Sequence, residues 1–193
     1  MANKNKTNGF SENPFMRGYD NRIFEGDETL GFRFPEGRLI TSKGFVPLEE
    51  IVKGVRTGYP TYLNIGDSST SGWDSNRTFK GNQDPNAPFF NYKTYSTLLE
   101  EQLYANVINA GVPGYTSYQG RKYLELLLKK LSKSRVKVDY VTIYLGNNDC
   151  TYNQHEDRVR LDAKMPSESA RGERVTFEDY KKNIRGMIET CRD

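Results

Sequence analysis

Three times in the middle of this chain a short apolar run stops at a glycine and gives way to a small polar loop. Tyr-Leu-Asn-Ile (62–65) stops at Gly66, Asn-Val-Ile-Asn-Ala (106–110) at Gly111, and Val-Asp-Tyr-Val-Thr-Ile-Tyr-Leu (138–145) at Gly146. After the first two, apolar residues recur at helical spacing: Tyr95, Leu98, Leu99 and Leu103 over residues 92–104, then Leu124, Leu127, Leu128 and Leu131 over residues 117–131. Strands alternating with helices over connections this short imply parallel pairing with right-handed crossovers. The predicted fold class is therefore α/β, with a three-layer α/β/α arrangement. Residues 138–145, the most β-branched and aromatic stretch, are predicted as a central strand buried on both faces. Thr176-Phe-Glu-Asp, close to a capping box, opens a last helix bearing Tyr180, Ile184, Met187 and Ile188.

The rest of the chain adds less. Residues 1–14 read as a loose polar arm, and Gly-Phe-Arg-Phe (31–34) and Arg-Leu-Ile-Thr (38–41) flank Pro35-Glu36-Gly37 as a predicted hairpin. Pro47 opens a short helix carrying Leu48, Ile51, Val52 and Val55. Residues 1–57 are thus predicted as an arm and cover on one domain spanning 58–193, since 193 residues with 35% hydrophobic content suffice for one core. A net charge of +3, from 28 basic against 25 acidic side chains, gives no field for nucleic acid as a partner. Lys129, Lys130, Lys133, Arg135 and Lys137 cluster at a helix end, where they complement its dipole. No segment has the length of a membrane span, the N-terminal lysines have no apolar stretch behind them, and Cys150 and Cys191 read as free thiols, so a cytoplasmic protein is expected. No Cys/His ligand set and no glycine-rich phosphate loop is present, so no metal and no cofactor is expected.

In a sheet of this kind the ligand site lies beyond the carboxyl ends of the strands, where the three glycine-led loops converge. In the first, Gly66-Asp67-Ser68-Ser69-Thr70-Ser71-Gly72, a serine just after a strand end can present its hydroxyl at the mouth of the sheet. The same residues would also make a plain N-cap. In the second, Asn109 to Ser117, Gly114 has an unhindered N–H able to donate to an oxyanion, although a simple strand-to-helix turn reads alike. In the third, Gly146-Asn147-Asn148-Asp149, an Asn amide can donate to the same oxygen or form an Asx-turn. Their order on consecutive strands favours the joint reading.

Together these blocks, Ile65-Gly66-Asp67-Ser68, Asn109-Ala110-Gly111 through Gly114-Tyr115-Thr116-Ser117, and Leu145-Gly146-Asn147-Asn148-Asp149, resemble the SGNH hydrolase superfamily, the GDSL esterases and lipases. The resemblance implies a flavodoxin-like parallel sheet and hydrolysis of ester or acetyl groups on a carbohydrate, lipid or small molecule. It also implies Ser68 as nucleophile, with an oxyanion hole of the Ser68 N–H, the Gly114 N–H and the Asn148 side chain. The family carries a further Asp-x-x-His block, and none occurs here: the sole histidine is His155, three residues after Tyr152. The chain is accordingly expected to be C-terminally truncated, with the base supplied by a missing segment or a partner chain. The alternative is a catalytically silent binding module. His155 either reaches over the rim as a substitute base or is an ordinary loop histidine, and the second reading is adopted. Asp67 and Asp149 are read as loop-bracing groups, Trp73 as core packing rather than a pocket wall, and Cys150 as inert.

Overall fold

The structure is a computed structural model that describes residues 24–27, 29–41, 44–72, 94–151 and 174–192. Strand β5 (Thr61–Gly66) lies between β6 (Asn106–Gly111) and β7 (Tyr140–Tyr144), and both pairings are parallel. The register sets Ile65 opposite Ala110 and Ile143, and Gly66 opposite Gly111 and Tyr144. The strands therefore end level, and their following loops start from one edge.

Alternation along β5 separates the two faces of the sheet. Ile65 points at α4 (Ser117–Lys133), where its side chain lies 3.6 Å from the position a Cβ would take on Gly120, while Asn64 points the other way and donates to Ser96 of α3 (Tyr95–Leu103) at 2.9 Å. The helices thus cover opposite faces, giving the three-layer α/β/α order. Helix α4 starts at a capping box in which Thr116 and Gln119 satisfy each other's ends, and it buries Tyr123, Leu124, Leu127 and Leu131. Leu128 is only half-buried against the core. Helix α5 (Phe177–Thr190) is capped by Thr176, whose hydroxyl accepts from the Asp179 N–H at 3.2 Å, and it packs on α4 through Gly186, which lies under the Arg121 guanidinium. Met187 is buried, Ile184 packs at the core margin, and Ile188 is exposed.

The N-terminal part forms two hairpins rather than the one predicted. β1 (Glu25–Asp27) pairs with β2 (Gly31–Arg33), and β3 (Arg38–Thr41) with β4 (Gly44–Pro47), both antiparallel. Pro35–Gly37 does not reverse the chain between β2 and β3. It forms a 3-10 turn with Glu36 and Gly37 at φ of 56° and 62°, which redirects it. Arg33 Nε, 2.7 Å from Glu25 and 3.4 Å from Asp27, fastens the first hairpin. Pro47 then caps α1 (Leu48–Lys53), a helix shorter than Val55 would require. Leu30, Phe34, Leu39, Ile40 and Leu48 join Leu63, Ile65 and Leu124 in one hydrophobic cluster, and Gln119 Nε2 donates to the Leu30 carbonyl at 2.8 Å.

Two further expectations are corrected. β7 is not central among the described residues: it has β5 as its one partner, and Tyr140 and Tyr144 are exposed. Helix α3 does not bury its leucine stripe. Leu98 and Leu103 are about half exposed, at 50% and 48%, while Ser96 and Thr97 are buried, because the sheet surface it meets presents Asn64 and asks for hydroxyl partners. The polar arm 1–14, Trp73 and His155 lie outside the described residues. Among the described residues no helix is long and apolar enough to cross a membrane.

Candidate active site

The first rim loop is a single turn, α2 (Ser68–Ser71), set directly on the strand ends. Asp67 caps it: Oδ1 accepts from the Ser69 N–H at 2.9 Å, and its carbonyl accepts from Ser71 N–H at 3.0 Å. The Ser68 carbonyl accepts from Gly72 N–H and from Ser71 Oγ, each at 3.0 Å, and Gly72 leaves the turn at φ 79°. Asp67, Thr70 and Ser71 are buried, whereas Ser68 is half-buried and Ser69 exposed. The turn is anchored by its other residues, and Ser68 is left at the rim.

Close seating explains the glycines at the strand ends. A Cβ on Gly66 would strike Thr70 Oγ1, and one on Gly111 would strike the Ser71 nitrogen and stand 2.7 Å from the Thr70 carbonyl carbon. Asn109 completes the seat: its Nδ2 donates to the Thr70 carbonyl at 2.8 Å, and its Oδ1 accepts from Gly111 N–H at 3.0 Å.

The second loop crosses over the first. Val112 N–H donates to the Gly66 carbonyl at 3.0 Å, and Tyr115 N–H returns to the Val112 carbonyl at 3.2 Å, with Gly114 in left-handed conformation at φ 83°. From the third loop, Asn148 Nδ2 donates to the Tyr115 carbonyl at 2.9 Å and stands 3.5 Å from Asp67 Oδ2. One amide thereby links all three loops. Asp149 closes the ring by accepting the Ser117 N–H on both carboxylate oxygens at 2.9 Å, at the first residue of α4, where the helix dipole favours a negative charge.

Burial pushes the Asp67 carboxyl above the usual carboxylate range, against the lowering bonds from Ser69, and the nearby charge of Asp149 adds to the rise. Burial likewise raises Asp149, against the lowering Ser117 hydrogen bonds and the charge of Arg174. A carboxyl raised in the folded state binds protons more readily there than when unfolded, so stability is gained as pH falls through the folded value towards the ordinary one. Asp149→Ala is therefore expected to lose about 2 kcal/mol at neutral pH, by stranding the Ser117 N–H and removing a buried charged acceptor. Because the variant cannot take up that proton, its deficit should widen as pH is lowered through this window. Urea unfolding at several pH values measures both effects.

Residues 65–193 match the GDSL-like Lipase/Acylhydrolase family. The chain belongs to that family. Among solved structures it is similar to AlinE4, an SGNH-hydrolase family esterase, at 19% identity and a TM-score of 0.41, with 71% of this chain and 55% of the other covered. Two substituted forms of the same esterase match at 19% identity and TM-scores of 0.42. The chain spans about half the length of these relatives. No curated protein matches it.

The three positions singled out in the sequence of this GDSL-family chain fall on the linked loops. Ser68 follows Asp67, which Asn148 approaches, and Asn148 also holds Tyr115, the residue after Gly114. Each of the three is half-buried. Asp67 and Asp149 brace the loops, and Cys150 Sγ turns back to donate to the Asn147 carbonyl at 3.2 Å. Sequence reasoning missed Arg174. It is buried, donates from Nη1 to the Gly114 carbonyl at 3.1 Å, and lies close enough to Asp149 to lower its carboxyl. Its position just before the Thr176 cap carries no motif that would have marked it. Gly146, at φ 130°, packs its backbone against the Tyr180 ring of α5, and Asn183 of the same helix donates to Ser117 Oγ at 3.1 Å, so α5 also supports the rim.

Proposed function

We propose that this GDSL-family chain is a serine ester hydrolase that cleaves ester or acetyl groups from a carbohydrate, lipid or small molecule. Ser68 Oγ attacks the carbonyl carbon as its proton passes to a base, the alcohol leaves with a proton, and water then hydrolyses the Ser68 acyl-enzyme. The developing oxyanion is received by the N–H groups of Ser68 and Gly114 and by the Asn148 amide. Asn148 has two amide protons. One is committed to the Tyr115 carbonyl, with Nδ2 at 2.9 Å from its oxygen, and the other is only loosely held by Asp67, whose Oδ2 lies 3.5 Å from Nδ2, so it is the one available to substrate. The observation carrying this reading is that Ser68 is left half-buried on a turn whose neighbours Asp67, Thr70 and Ser71 are buried and bonded.

Such a serine needs a base. The 193 residues contain one histidine, His155, and no Asp-x-x-His. In this proposal the base comes from chain beyond these residues or from a partner chain. The same absence of an Asp-x-x-His favours a second reading, in which the rim binds an ester-bearing molecule without turning it over. A fluorophosphonate probe, applied to this chain and to the chain continued by its native downstream residues, separates the two. An adduct on Ser68 located by mass spectrometry is expected in the second at least. No adduct in either would leave the binding module standing and overturn the hydrolase.

A further inference from the structure

Under the nucleophile turn, a file of hydrogen bonds runs from Thr70 into the sheet. Thr142 Oγ1 of β7 donates to Asn64 Oδ1 of β5 at 2.7 Å, and Asn64 Nδ2 donates to Ser96 Oγ of α3 at 2.9 Å. A hydroxyl has one proton. With that of Thr142 committed to Asn64, Thr142 Oγ1 accepts from Tyr95 OH at 3.3 Å; with that of Tyr95 committed to Thr142, Tyr95 OH accepts from Thr70 Oγ1 at 3.3 Å. The whole file has one direction, from the turn to the helix. It engages β5, β7 and the first residues of α3.

We propose that Tyr95 is a positioning residue for the nucleophile, its hydroxyl fastening Thr70, and through it the turn that begins at Ser68, to the sheet. The inference rests on the reading of Ser68 given above. Helix α2 has four residues, too few to hold its own shape. It is moored on one side by Asn109 of β6, through the Thr70 carbonyl, and on the other by Tyr95, through the Thr70 hydroxyl. Gly66 leaves the space into which that hydroxyl reaches. With one mooring cut, the turn can rock about the other, and Ser68 moves with it. The exposed leucines of α3 fit the same role, since this helix offers the sheet Tyr95 and Ser96 instead of an apolar stripe.

Tyr95→Phe keeps the ring and removes the hydroxyl, and Thr142→Val keeps the shape and cuts the next link. The 3.3 Å links are long for O–H···O bonds, so the effect is severalfold rather than many orders. Each variant is expected to quicken amide hydrogen exchange at Ser71 and Gly72 about fivefold, the equivalent of one ordinary hydrogen bond, with α4 amides unchanged. Labelling of Ser68 by a fluorophosphonate should slow by a similar factor. Turnover of p-nitrophenyl acetate should lose kcat at constant KM, and the double variant should be no worse than either single. Unchanged exchange and labelling in Tyr95→Phe would overturn the mooring and leave Ser68 as nucleophile. An unlabelled parent chain in both lengths would overturn the nucleophile while exchange alone still decided the mooring.

Discussion

Ser68→Ala is expected to abolish covalent labelling and to cut ester turnover of any active form by on the order of a thousandfold or more. Its effect on stability should stay within about 0.5 kcal/mol, since the substitution removes one oxygen from a half-buried position. The bonds that shape the turn run to the Ser68 carbonyl, from Gly72 N–H and Ser71 Oγ, and alanine keeps that carbonyl. Any large loss is therefore a loss of chemistry and not of the loop. Turnover of p-nitrophenyl acetate alongside a urea melt is the measurement. Activity persisting in a folded Ser68→Ala variant would mean that the reacting group lies elsewhere.

Gly111→Ala should damage both fold and activity. The added methyl would press on the Ser71 nitrogen and the Thr70 carbonyl carbon, which are backbone atoms with no rotamer to change. Relief must come from lifting the turn off the strand ends. Overpacking of this kind costs about 1–3 kcal/mol. A displacement near 1 Å at the reacting atom costs roughly a hundredfold in rate. The Asn109 bonds to the Thr70 carbonyl and to Gly111 N–H would be disturbed together. The shift in urea midpoint and the Ser68 labelling rate report the two losses separately. A variant that labels at the rate of the parent chain would show that the turn does not sit where its contacts place it.

Much of this architecture was legible because it is written locally. The strands ending at Gly66 and Gly111, the helix through Leu124, Leu127 and Leu131, and the Thr176 cap each depend on residues a few positions apart. The order of the three loops then brought Ser68, Gly114 and Asn148 to one edge. What stayed hidden depends on partners distant in sequence. Leu98 and Leu103 mark a stripe that the helix leaves outside, and only the polarity of Asn64 in the facing strand explains why. β2 pairs with β1, with Arg33 bound to Glu25 and Asp27, and not with β3. Arg174 meets Gly114 across sixty residues, a contact that no spacing rule encodes.

The seat beneath the Ser68–Ser71 turn also bears on how such a chain can change over generations. Gly66 and Gly111 stand side by side under Thr70 and Ser71, so the four positions make one inherited fitting rather than four independent ones. A side chain gained at Gly66 meets both Oγ1 and Cβ of Thr70 and stands 3.0 Å from the Tyr144 carbonyl oxygen, so room for it requires loss of the whole Thr70 side chain, mooring hydroxyl included. One gained at Gly111 meets backbone, for which no second substitution in the turn can make room. Drift is thereby constrained at both strand ends, at Gly66 chiefly by one side chain and at Gly111 by the backbone of the turn.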